Sequence, residues 1–103
     1  CSSLSSIVIP DNVTDLGDYA FAFCLNLATV TLGSGLTSIG ADAFYACPNL
    51  ASVICRPVVP PTLGNSAFGS NESGRVISVP EASVDAYKSS WSSYASSIRA
   101  MTE

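Results

Sequence analysis

Four cysteines, Cys1, Cys24, Cys47 and Cys55, carry the most reactive side chains in the sequence, and the first three recur every 23 residues. They lack the close Cys-x-x-Cys pairs that zinc sites prefer. The chain has no histidine. That removes Ser–His nucleophilic catalysis and His-ligated metals from consideration. If Cys1, Cys24 and Cys47 share one structural column, they are neighbours in space. A disulfide between them is then conceivable on distance, but side chains that run parallel rather than facing disfavour it. The expectation is four free thiols, the column residues acting as small buried apolar groups. Cys55 stands where an inward Leu or Ile is expected and takes the same role.

The acids of "DNVTDLGD", residues 11 to 18, are the other chemical candidates. They lack the spacing and the terminal Glu of a calcium loop, so they read as solvated turn residues. "NVT" at 12 and "NES" at 71 match the glycosylation acceptor pattern and are given no functional weight. The residues therefore nominate no catalytic group, cofactor or metal site.

Composition narrows the classes further. The 103 residues are 48% apolar and 12% charged, with net charge -4. That is too apolar for a disordered chain. The cations Arg56, Arg75, Lys88 and Arg99 form no basic patch for nucleic acid. No apolar run reaches the roughly 18 residues of a membrane span. Ser, Thr and Asn must coat much of the surface.

What positions these residues is a repeat. Leu4, Leu27 and Leu50 keep the 23-residue interval of the cysteines, as do Ile7, Val30 and Val53, and Ile9, Leu32 and Cys55. Leu16, Ile39 and Leu63 follow, then Gly17, Gly40 and Gly64, Ala20, Ala43 and Ala67, and Phe21, Phe44 and Phe68. One extra residue falls within "RPVVPPT", residues 56 to 62. Units this small bury their apolar face only by stacking, which predicts a solenoid. "LSSIVI", "LATVTL" and "LASVIC" read as short strands with alternating faces. "VISVP" at 76–80 supplies a fourth strand. Parallel strands are expected near 5–9, 28–32, 51–55 and 76–79. Their outward residues Ser6, Val8, Thr29, Thr31, Ser52 and Ile54 form one candidate partner-binding face. The glycine of each "LG" or "IG" suits a sharp bend. The Ala-Phe pair after it should sit in a helical turn with Phe in the core.

Val84, Tyr87, Trp91, Tyr94, Ile98 and Met101 recur at helical spacing. Ser83 or Glu81 suits the start, and the serine pairs at 89–90 and 92–93 favour a break near Trp91. This tail would close the open end of the repeat. With two cations it is a poor membrane-surface helix.

The units "LSSIVIPDNVTDLGDYAFAFC" and "LATVTLGSGLTSIGADAFYAC", and the looser "LASVICRPVVPPTLGNSAF", resemble the BspA-like (bacterial surface protein A-like) leucine-rich repeats. The ending "ISVPEASVDAYKSSWSSYASSI" is similar to that family's capping tail. The resemblance implies a right-handed leucine-rich-repeat coil with repeats over 1–80, in units starting near 1, 24, 47 and, in part, 71. It implies a C-terminal helical cap over 81–103. It also implies a non-catalytic scaffold of a bacterial cell-surface or secreted protein, without cofactor, that binds a host or neighbouring-cell surface protein or mediates adhesion. The alternatives are a purely structural spacer and, third, a carbohydrate-binding module. The last would need exposed aromatics on one face, and most here are expected in the core. Residue 1 falls inside the repeat, so the chain is expected to continue a longer array and to self-associate through its first unit. The alternative is that Cys1 is the lipidated first residue of a lipoprotein.

Overall fold

The computed structural model describes residues 4–69, 71 and 74–101. Cys1, and with it the lipidation alternative, lies outside them, as does part of the "NES" triplet. Eight short strands occur: β1 (Ser6–Val8), β2 (Asp15–Leu16), β3 (Thr29–Leu32), β4 (Ser38–Ile39), β5 (Ser52–Cys55), β6 (Thr62–Leu63), β7 (Val76–Val79) and β8 (Ile98–Ala100). One helix, α1 (Val84–Ser90), follows a 3-10 turn at Glu81–Ser83, and a second such turn spans Ser92–Ser97.

The strands form two sheets in which every pairing is parallel. The larger runs β1-β3-β5-β7-β8 and the smaller β2-β4-β6. Ser6 pairs with Thr29, Thr29 with Ser52 and Ser52 with Val76, so equivalent residues of successive units lie side by side. This arrangement fits a repeat coil. Alternation sets the faces: Val30 and Leu32, then Val53 and Cys55, then Ile77 and Val79 are fully buried, while Val8 points outward and is 69% exposed. The small sheet was not expected from the sequence. Its strands have two residues each, too few to show a period.

A third ladder closes each unit. The N–H groups of Tyr19, Phe21 and Phe23 donate to the carbonyls of Ala41, Ala43 and Tyr45 at 3.0, 2.7 and 2.9 Å. Asp42, Phe44 and Ala46 donate in the same way to Asn65, Ala67 and Gly69. The intervening N–H groups turn back locally, Ala22 to Tyr19 and Tyr45 to Asp42. The expected helical turn around Ala-Phe is therefore corrected to a string of β-turns. The reason is backbone handedness. Tyr19, Phe23, Asp42, Ala46 and Ser66 all have φ near +60°, which no helix tolerates and which costs a non-glycine residue about 1–2 kcal/mol.

The glycine column is corrected as well. No described glycine has positive φ, so the bend does not require it. Space does: a Cβ on Gly40 would lie 2.5 Å from the Asp18 nitrogen, and one on Gly64 would strike the Ala41 backbone. Gly17, in the first unit, has nothing within 4 Å. The column exists to let one unit press on the one before it.

Inside, Phe21, Phe44 and Phe68 stack with ring centroids 5.5 and 5.4 Å apart and planes 11° and 1° from parallel. Trp91 meets Phe68 at 5.7 Å, and Tyr94 meets it edge-on at 5.6 Å. Each such pair is worth about 0.5–1.5 kcal/mol beyond its area.

The tail departs from a single amphipathic helix. α1 stops at Ser90, with Trp91 leaving helical geometry at φ -112°, ψ 51°, as the serine pairs predict. Ile98 and Met101, expected in the helical stripe, instead join or flank a strand: β8 pairs with β7 through Ile77↔Ile98 and Ser78↔Arg99. Ser83 precedes α1 but makes no side-chain cap. Its Oγ donates to the Val58 carbonyl at 2.7 Å instead.

Candidate functional site

Strand register decides which side chains share a face. One row is Ser6, Thr29, Ser52 and Val76, and the next is Val8, Thr31, Ile54, Ser78 and Arg99. All six residues expected on the face from the sequence thus lie in two adjacent rows. Ser6 and Val8 are exposed, and Thr29, Thr31, Ser52 and Ile54 are half-buried. The rows gain Val76 and Ser78, legible from the likeness of "VISVP" to "IVIP". They also gain Arg99, which carried no signal because its strand has the spacing of a helix. The face is small, β-branched and uncharged apart from Arg99. It offers shape and hydroxyls to a partner, and no nucleophile or general base.

The acids of residues 11–18 are exposed, but they are not idle turn residues. The Asp11 carboxylate accepts from the Ser34 N–H at 2.8 Å, Asp18 from the Ala41 N–H at 2.9 Å, and Asp15 from the Ser38 hydroxyl. Each clips the first unit to the second. The Ser34 bond holds the Asp11 carboxyl below its ordinary pKa. Asparagines do the same from the other side: Asn49 Nδ2 donates to the Leu25 carbonyl and Asn71 Nδ2 to the Phe44 carbonyl, both at 2.9 Å.

The loop Pro57–Pro61 is tied down by the tail. Ser83 Oγ donates to Val58 O at 2.7 Å, the Tyr87 hydroxyl to Pro57 O at 2.6 Å and Trp91 Nε1 to Pro61 O at 2.9 Å. Three donors four residues apart meet three carbonyls of a proline-rich loop whose missing N–H groups leave it little pairing of its own. Val58 and Val59 stay exposed beside a cleft of about 310 Å³ lined also by Ser34, Leu36 and Thr37. Near the other end of the unit, Arg75 is half-buried, and no carboxylate among the described residues pairs with it. Nη1 donates to Phe68 O at 2.7 Å and to Asn71 Oδ1 at 3.1 Å, and the guanidinium lies 5.0 Å from the Tyr94 ring. Burial pulls its pKa down.

The cysteine expectation is half corrected. Cys47 and Cys55 are free and buried, but Cys24 is disulfide-bonded. Burial pushes the Cys55 thiol up to about 12, and raises Cys47 as well. Neither is a nucleophile at neutral pH. Among the described residues no group of His, Cys, Asp or Glu could hold a metal ion. No helix among them is long and apolar enough to cross a membrane.

Most aromatics lie in or against the core, as expected. Tyr19 is nevertheless 60% exposed and Phe23 57%, beside Leu25 at 52%. The Phe23 ring meets Tyr45 edge-on at 6.0 Å. Sequence reasoning missed Phe23 because the residue two positions earlier, Phe21, occupies the repeated core column.

A family model described as BspA type leucine rich repeat region (6 copies) matches residues 1–102. The chain belongs to the BspA-type leucine-rich repeat family. The match spans the parallel-strand units and the tail alike. Leucine-rich repeats are in general non-catalytic modules of protein interaction, and the BspA-like ones are typically associated with bacterial surfaces. No curated protein matches the chain.

Proposed function

We propose that this BspA-type repeat is a non-catalytic scaffold of a bacterial cell-surface or secreted protein, and that it binds a protein partner or mediates adhesion through the face of its larger sheet. The observation that carries this reading is the register: Val8, Thr31, Ile54 and Ser78 follow one another across four paired strands. Such a row gives a partner a continuous, weakly hydrated surface of fixed shape. In the same reading the units wind as a right-handed solenoid over residues 1–80, and residues 81–103 serve as its lid. Burial of Tyr87 and Trp91 against the third unit supports the lid. In the first unit, whose β1 lies at the end of the large sheet, Leu4, Ile7 and Phe21 are only partly covered.

The test is a pull-down from host and neighbouring-cell extracellular proteins with the parent chain and with Thr31→Glu/Ile54→Glu, run beside a glycan array. A protein retained by the parent and lost by the variant is the expected result. Silence in both assays makes the chain a structural spacer.

A further inference from the structure

A second surface lies away from the strand face, on the turns of the first two units. Tyr19, Phe23 and Leu25 are more than half exposed. The backbone ladder from Tyr19, Phe21 and Phe23 to Ala41, Ala43 and Tyr45 holds these turns against the next unit. The Phe23 and Tyr45 rings form a fixed edge-to-face pair. Tyr19 is paired to Asp42: a hydrogen bond to that carboxylate, and then its charge and that of Asp18, push the phenol pKa up. Two carboxylates therefore act on the Tyr19 phenol.

Charge along the chain agrees. Asp11, Asp15, Asp18 and Asp42 are the charged side chains before Arg56, whose guanidinium acts on Asp11. The acids and bases from residue 56 onward cancel, so the whole net charge of -4 belongs to the first two units. A ring face beside carboxylates such as Asp42 and Asp18 attracts a cation twice, through the ring quadrupole and through charge. A neutral pyranose would use the rings but gain nothing from the charge.

We propose that the turn surface formed by Tyr19, Phe23, Tyr45 and Asp42 docks a lysine- or arginine-bearing segment of a protein partner. It does not depend on the strand face, and the two are separable by mutation.

The test uses the full chain and a fluorescein-labelled nonalysine peptide, followed by anisotropy at low and at physiological ionic strength, with a Gly-Ser peptide of equal length as control. Binding of nonalysine that weakens with salt is expected. Tyr19→Ser/Phe23→Ser should raise Kd about tenfold, two exposed cation–π contacts being lost. Asp42→Asn should raise it as well, and Val58→Ser/Val59→Ser, on the exposed proline-rich loop, should leave it unchanged. Circular dichroism and the melting temperature check that each variant folds. Nonalysine binding that is indifferent to loss of both rings overturns the proposal, leaving only diffuse attraction to a negative domain. Equal binding of the Gly-Ser peptide overturns it too. So does a glycan array whose signal depends on the two rings while nonalysine shows none, which makes the surface a carbohydrate site.

Discussion

The Tyr87 hydroxyl donates to the carbonyl oxygen of Pro57 at 2.6 Å, across 30 residues of sequence, and itself accepts from the Cys55 thiol at 3.3 Å. All of this is buried. The phenol thus joins α1, the last inward residue of β5 and the proline-rich loop in one chain of hydrogen bonds. Tyr87→Phe keeps the ring and its 4.9 Å contact with Trp91, but leaves a buried carbonyl and a thiol unpaired. The expected cost is about 1–3 kcal/mol, read as a lower urea midpoint at unchanged m-value. An unchanged midpoint would mean that water replaces the hydroxyl.

Phe44 is fully buried between two parallel rings, whereas Phe21 is only partly covered. Phe44→Ala should cost about 3–5 kcal/mol. Phe21→Ala should cost distinctly less, because part of its ring is already in water. Equal losses in chemical denaturation would contradict the placement of the first unit at the end of the stack.

The glycine column makes an opposed pair. Gly40→Ala forces a methyl against the Asp18 backbone and should destabilise. Gly17→Ala meets open space at an ordinary φ and should be neutral or stabilising by up to about 1 kcal/mol, since alanine narrows the unfolded ensemble. Melting temperatures that move the same way in both variants would sink the close-packing account.

Thiol chemistry should follow burial. With Cys24 in a disulfide and Cys47 and Cys55 free, two thiols per chain should react with Ellman's reagent after unfolding without reductant. In the native state at pH 7 both should be slow. Cys55 is protonated until the pH nears its raised value of about 12, and only the thiolate attacks. Four thiols after non-reducing denaturation would show that Cys24 is reduced.

Which residues stack on which is legible in the sequence itself. Leu27 and Leu50, Val30 and Val53, and Phe44 and Phe68 recur because a unit of this size has no core of its own, so the same apolar position must be filled in every turn. That repetition locates β1, β3, β5 and β7 of the large sheet to within a residue or two, and with them the candidate face. Tertiary structure alone decides the contacts of residues that do not repeat or whose role is relational. Gly40 has the look of a bend because glycine is commonly one, and only the distance to Asp18 shows it to be a spacer. Ser83, Tyr87 and Trp91 have the spacing of a helical stripe. That spacing cannot disclose that their polar ends satisfy the carbonyls of a loop some 25 to 30 residues earlier. β8 is hidden for the same reason: a strand of three residues is specified by the free edge of β7 that it pairs with, not by its own pattern.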